Sequence, residues 1–317
     1  MPWGLLMLLL AGLAVLWAGL AVHTAWLLSR PPRRTYSWAV WRGLPGDPGE
    51  GPRPLEFRSW TFRSRGLDLP AWSVRGLDPD GPTVVLTHGW ADSRVVMLAR
   101  VGALAGLARQ VVVWDMPGHG EAPGRCTLGV REPDDLLALL DAVDADGPIV
   151  LHGFSLGAGV SIVAAARAPA GRVAAVVAEA PYRLAATPAR NVLRLRGLPY
   201  RATLGPALLL ARLVIGRGAS GGLGDADFDR AAWAAKLEAA TPLLVLSGDA
   251  DAVCPLEDAR AIAASAKTGE LVVVPGGDHA GMWLDPSTQA ACVAAVDRLL
   301  GRSITNAEGV TARACGR

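Results

Sequence analysis

The chain has 317 residues, 51% of them hydrophobic, with a mean hydropathy of +0.30 and a formal net charge of +2. That length holds one large α/β domain or two small ones, and the near-balanced charge gives no general footprint for a nucleic-acid partner. The four cysteines, Cys126, Cys254, Cys292 and Cys315, are scattered without a CxxC pair or a Cys/His cluster along the sequence; this argues against a metal site and fits a reducing compartment.

The apolar excess has one source. Residues 3–28, from Trp3 to Leu28, carry no charged side chain, and His23 is their only titratable group. As a helix rising about 1.5 Å per residue, this segment crosses a bilayer core of roughly 30 Å with some tilt. Trp3 and Trp26 stand near its two ends, where interfacial indoles belong. A secretory signal peptide needs a basic start, a shorter apolar run and a small-x-small cleavage site, and a buried core helix is usually shorter. The expectation is an uncleaved, single-pass membrane anchor. Arg30, Arg33, Arg34 and Arg42 all follow it, so the positive-inside rule places the N-terminus outside and the body of the protein in the cytoplasm. Residues 29–56, rich in Pro, Gly and Arg, read as a linker.

From Phe57 the pattern changes. Strand-like runs at Arg58–Ser64 and Ala71–Arg75, with Gly66 between them, suggest an opening hairpin. Short apolar runs then alternate with helical patterns. The strands are Thr83–Thr87, Gln110–Trp114, Ile149–Leu151, Val173–Ala178, Leu243–Leu246 and Leu271–Val274. The helices are Val96–Ala108, Pro133–Val143, Ala158–Ala168, Leu256–Ala266 and Gln289–Leu300. Glu132, Asp134 and Asp135 sit at the start of the second of these, where the helix dipole favours them. Such alternation argues for a mostly parallel sheet covered on both faces. Residues 302–317 carry no periodicity and read as a frayed tail.

One stretch breaks the alternation. The long interval between Ala178 and Leu243 is too long for a structureless loop, so residues 183–232 are expected to form a helical cap insertion. Arg183, Arg190, Arg194, Arg196, Arg201, Arg212 and Arg217 fall there, with no Asp or Glu among residues 183–217. The rest of the chain is therefore net acidic. The cap lacks the aromatic interleaving of a nucleic-acid surface. Its Leu208–Leu210 and Leu213–Ile215 runs beside Arg212 suit either an anionic membrane face or a solvated arginine-rich surface.

Residues 153–157 read Gly-Phe-Ser-Leu-Gly, after an apolar run and before a small-residue helix. This is the strand–turn–helix setting of a nucleophile elbow, which makes Ser155 the candidate nucleophile and the Leu156 backbone N–H a candidate oxyanion donor. A serine hydroxyl needs a base, and the base an orienting carboxylate. In a parallel sheet these partners come from strand C-terminal ends. Two loops fit: Ser247-Gly248-Asp249-Ala250-Asp251 after one strand, and Pro275-Gly276-Gly277-Asp278-His279 after the next. The order Ser, Asp, His is that of an α/β-hydrolase.

Four blocks widen this likeness: Thr87-His88-Gly89-Trp90, Asp115-Met116-Pro117-Gly118-His119-Gly120, the elbow, and the paired Asp and His loops. Together they make residues 57–301 resemble an α/β-hydrolase, in particular the membrane-anchored bacterial serine hydrolases of the Bem46-like and serine aminopeptidase-like groups. The resemblance implies an eight-stranded sheet, a Ser–His–Asp triad and no cofactor. It implies His279 as general base and, from Gly248, Asp251 and Pro255, Asp251 as orienter with Asp249 as rival. It also implies the backbone N–H of Trp90 as second oxyanion donor. His88 and His119 fall in blocks where they resemble structural or oxyanion-loop residues, and His152 reads as a hydrogen-bonded core histidine. Glu179 reads as structural, Asp278 as shaping the base loop, and Cys254 as lacking the elbow a catalytic thiol would need.

The expected chemistry is acyl transfer from a lipophilic or lipid-like ester to water. The triad order is silent on the leaving group, so a peptidase, an acyltransferase and a non-enzymatic membrane-tethered scaffold stand as alternatives.

Overall fold

The computed structural model describes residues 2–145, 147–216 and 226–314, those after residue 301 by their backbone alone. Arg217 of the arginine-rich insertion and Cys315 lie outside the described residues.

Eight strands form one sheet: β1 (Phe57–Ser64), β2 (Leu67–Arg75), β3 (Thr83–Thr87), β4 (Gln110–Trp114), β5 (Ile149–Phe154), β6 (Ala175–Glu179), β7 (Leu243–Gly248) and β8 (Gly269–Val274). Their order is β1-β2-β4-β3-β5-β6-β7-β8. β1 and β2 are a hairpin whose turn, Arg65-Gly66, takes φ of +48° and +80°. Positive φ at both central residues is what a two-residue turn needs to match strand twist. β2 pairs antiparallel with β4, and every later pairing is parallel. β3, β5, β6 and β7 are buried along their whole length. That explains why they read as continuous apolar runs rather than alternating ones.

The helices are α1 (Pro2–Ser29), α2 (Tyr36–Trp41), α3 (Leu98–Leu104), α4 (Glu132–Ala142), α5 (Leu156–Arg167), α6 (Ala186–Leu195), α7 (Tyr200–Ile215), α8 (Arg230–Ala234), α9 (Leu256–Ser265) and α10 (Pro286–Ala314). On one face of the sheet Leu136, Leu139, Val160, Val163, Ala234 and Ile262 of α4, α5, α8 and α9 form a buried core. On the other, Val101 and Leu104 of α3 pack with Val296 and Leu299 of α10 around Met97 and Trp283. Between β6 and β7 the chain leaves the sheet for α6, α7 and α8, a helical insertion as expected.

Two expectations need correction. The helix expected over Val96–Ala108 is only α3 plus a 3₁₀ turn at Ala105–Leu107. The expected tail is helical to Ala314. No proline interrupts residues 302–314, and Ala307, Glu308, Ala312 and Arg313 are strong helix formers.

α1 is long and apolar enough to cross a membrane by length and composition, and most of it is exposed. Its C-terminal half packs along α7. Trp17 Nε1 donates to the Ala202 carbonyl at 2.8 Å near the start of α7. Leu28, near the end of α1, and Ile215, at the end of α7, both pack on the hydrophobic core of this face.

Candidate active site

The strand order reverses beside β3, with β4 on one side and β5 on the other. At such a switch point the loops leaving the strand C-termini part and open a crevice. The loop carrying Trp90 leaves β3, and Ser155 leaves its parallel neighbour β5.

Ser155 has φ +52° and ψ −110°, a conformation L-residues rarely adopt. Its N–H donates to the Glu179 carbonyl at 2.8 Å, which fixes the turn to β6. The flanking glycines are sterically required. A Cβ on Gly153 would lie 2.1 Å from the Gly157 carbonyl, and one on Gly157 would lie 2.1 Å from the Thr87 carbonyl. α5 begins at Leu156, so its unpaired first N–H groups and positive dipole end lie beside the serine.

The two carboxylates of the acid loop separate cleanly. Asp251 Oδ2 lies 2.8 Å from His279 Nδ1, and Asp251 Oδ1 accepts the Val253 and Cys254 N–H groups at 2.8 Å each. The Asp251 side chain is 1% exposed and that of His279 21%. Asp249 instead accepts the Gly276 N–H at 2.7 Å and ties the acid loop to the base loop. Asp278 accepts the Ala280 and Gly281 N–H groups at 3.0 and 2.5 Å, which folds the loop around His279.

The other histidines are held away from chemistry. His88 Nε2 accepts the Met116 N–H at 2.9 Å, which leaves the proton on Nδ1 to donate to the Gly89 carbonyl at 2.8 Å. Burial pushes its pKa down to about 4. His119 stacks edge-on against His88 and is also pushed down, by burial and then by His88. His152 Nε2 lies 3.1 Å from Glu179 Oε2. Burial opposes the Glu179 charge, but Arg100 and then His152 outweigh it and hold the pKa at about 2. Arg100 bonds both Glu179 oxygens, through Nε at 2.8 Å and through Nη2. Its guanidinium also lies over the Phe154 ring, 4.6 Å from the centroid, and that ring is 5.1 Å from His279. A buried ion pair thus stands under the elbow and the base.

Sequence reasoning missed three features. One is Arg100, whose position in a helix gave no sign of a partner on β6. The second is Cys254. Its side chain is buried, and Asp251, Cys254 and His279 each bring a ligand-capable atom within 4.8 Å of the others. Burial and Asp251 push the thiol pKa well up, so it stays a neutral neighbour of the serine. The third is the surroundings of Trp90. Its indole Nε1 donates to the Leu28 carbonyl at 3.0 Å instead of facing an open pocket.

A cavity of about 470 Å³ lined by Arg58, Ser73, Arg109 and Gln110 lies elsewhere. Gln110 begins β4, so this hollow sits at the opposite end of the strands from Ser155. It is open and edged by charge.

A model of the alpha/beta hydrolase family matches residues 84–295. An uncharacterised protein of Mycobacterium tuberculosis strain CDC 1551 is 28% identical over 259 residues, 77% of this chain and 82% of that protein. Among solved structures, the Pyrococcus furiosus esterase Pf2001 superposes with a TM-score of 0.59 at 20% identity, covering 78% of this chain and 90% of that one. Est1E from Butyrivibrio proteoclasticus, with ferulic acid bound, superposes with a TM-score of 0.60 at 20% identity, covering 78% and 99%.

Proposed function

The chain belongs to the alpha/beta hydrolase family, and from that premise we propose that it is a membrane-attached serine hydrolase cleaving carboxylic esters of lipophilic, lipid-like acids. One observation carries the reading. A serine in a strained elbow stands at the tip of β5, beside a loop pair in which His279 is already oriented by buried Asp251 at 2.8 Å.

In this mechanism His279 Nε2 takes the Ser155 proton as the hydroxyl oxygen attacks the ester carbonyl. Asp251 accepts the hydrogen bond from Nδ1–H, stays ionised and so stabilises the imidazolium. The oxyanion is held by the backbone N–H groups of Leu156, at the positive end of α5, and Trp90. His279 then returns the proton to the leaving alcohol. Water, deprotonated by the same imidazole, resolves the acyl-enzyme and releases the acid. The fold likeness to the Pyrococcus furiosus esterase Pf2001 supports this direction.

Lipophilic substrates follow from what surrounds the site. α1 attaches the protein to a bilayer, and the arginines after it favour the cytoplasmic face. α7 runs beside α1 and leaves Leu209, Leu213 and Val214 exposed, while Leu195 and Leu198 are exposed between Arg194, Arg196 and Arg201 where α6 turns into α7. Cations interleaved with exposed leucines suit an anionic leaflet.

The test is hydrolysis of p-nitrophenyl esters of graded acyl length by the full chain in vesicles. Rates that rise with chain length to at least eight carbons, and that exceed those on a matched anilide, are expected. Faster cleavage of the anilide would overturn the ester reading.

A further inference from the structure

α1 does not end as a free tether. A helix leaves its last four carbonyls without intrahelical donors, and here all four are accounted for. Those of Trp26 and Leu27 accept the Arg30 N–H at 3.0 and 3.2 Å. Leu28 accepts from the Trp90 indole at 3.0 Å, and Ser29 accepts the Cys126 N–H at 3.1 Å. Two of the donors therefore come from loops of the hydrolase body.

The contacts continue past the helix. Arg33 Nη1 donates to the carbonyls of Gly120 and Ala122 at 3.2 and 2.8 Å. Arg34 Nη1 pairs with Asp92 Oδ1 at 2.5 Å, and the Arg34 carbonyl accepts from Ser93 Oγ at 2.5 Å. The Asp92 side chain is 11% exposed. Asp92 and Ser93 follow Trp90 in the same loop, and Ala91, between Trp90 and Asp92, has φ +62°. A non-glycine residue in that region persists only where its surroundings over-determine it. The next residue, Arg94, is bonded through its N–H to Asp115 Oδ1 at 2.7 Å, and Asp115 Oδ2 takes the Glu121 N–H at 2.9 Å. The loop after β3 is thus gripped by the sheet on one side and by residues 28–34 on the other.

We propose that Leu28–Arg34 is a positioning strap that holds the 88–94 loop so that the Trp90 backbone N–H stays aimed at the oxyanion, tying the end of the apolar helix to turnover. The inference rests on acyl transfer at Ser155. Oxyanion donors act only when preorganised, and losing one altogether costs roughly 10²–10³ in rate. The strap contacts include two made by charged arginines, which are stronger than neutral hydrogen bonds. A flexible tether would have no use for them. A loosened strap weakens a contact made mainly in the transition state, so it lowers kcat and leaves KM in place.

The experiment uses the full chain in vesicles. Trp90→Phe removes the indole donor and keeps an aromatic ring. Arg34→Gln breaks the ion pair from the strap side, and Arg34→Lys restores its charge without the planar fork. Each is assayed for kcat and KM on a p-nitrophenyl ester, and for inhibition by a trifluoromethyl ketone, whose serine adduct carries an oxyanion. Trp90→Phe and Arg34→Gln should lower kcat about tenfold, a displaced donor costing less than a lost one. KM should stay within about twofold and ketone affinity should weaken in proportion to kcat, with Arg34→Lys intermediate. Unchanged kcat and ketone affinity overturn the proposal. So does a lower melting temperature with ketone affinity intact, which marks a merely structural contact. If Trp90→Phe fails to fold, the Arg34 pair decides. If the ketone does not inhibit the wild-type enzyme, acyl transfer falls and the strap with it; inhibition of wild type and variants alike sinks the strap alone.

Discussion

His279 Nδ1 lies 2.8 Å from Asp251 Oδ2, a contact that joins the loops following the neighbouring parallel strands β7 and β8. The pairing assigns the two acid-loop carboxylates different work. Asp251 faces the imidazole, and Asp249 faces the Gly276 backbone.

Asp251→Asn should therefore lower kcat by roughly 10⁴-fold, because an amide presents the wrong partner to the Nδ1 proton. Asp249→Asn should cost less than about tenfold, since it only loosens the base loop. Steady-state kinetics on one ester decide it, and comparable losses in the two variants would contradict the assignment.

The ion pair under the elbow makes a stability prediction. Arg100 and Glu179 are buried together, so removing one partner strands a charge. Glu179→Gln should cost about 3–5 kcal/mol, and replacing both residues by apolar ones should recover much of that loss. Urea unfolding of the single and double variants measures the difference; a double variant no better than the single one counts against the pair.

His88 supplies a pH dependence. Its folded pKa of about 4 lies below the ordinary histidine value of 6.5. The unfolded chain thus binds a proton that the folded chain refuses. Stability is full above pH 6.5 and falls as pH drops toward 4, by about 3 kcal/mol from this group. His88→Asn should flatten that part of the profile, although His119 and His152, also pushed down by burial, keep some slope. An unfolding free energy that changes between pH 7 and 5 as steeply in the variant as in the wild type would refute the role.

The exposed face of α7 can be tested separately. Leu213→Asp with Val214→Asp should reduce turnover of long-chain esters in anionic vesicles severalfold and leave a short soluble ester unaffected. Equal effects on both substrates would mean the face serves the fold rather than a lipid surface.

The sequence made the sheet legible because β3 and β4 are built around the short apolar runs Val84–Leu86 and Val111–Trp114; their predicted and observed limits coincide. The elbow was legible for a local reason, since a Cβ on either of its glycines would lie 2.1 Å from a backbone carbonyl and no other residue fits. Asp251 and Asp249 could be ranked only by spacing, because the choice depends on which way two loops face. Arg100, Cys254 and the strap at Leu28–Arg34 left no periodic or spacing signal. Each is defined by a contact across the fold, and a Pro-Arg-rich stretch looks the same whether it hangs free or lies on a loop. The helical residues 302–314 show the same limit from the other side, since a weak local pattern was carried on by the helix before it.

The central claim is that Ser155 is the nucleophile. The direct test is labelling of the full chain in vesicles with a fluorophosphonate probe, comparing wild type with Ser155→Ala and following ester turnover in the same samples. The account predicts stoichiometric labelling of the wild type at Ser155, and no labelling and almost no turnover in the variant. Undiminished labelling or turnover in Ser155→Ala would contradict it.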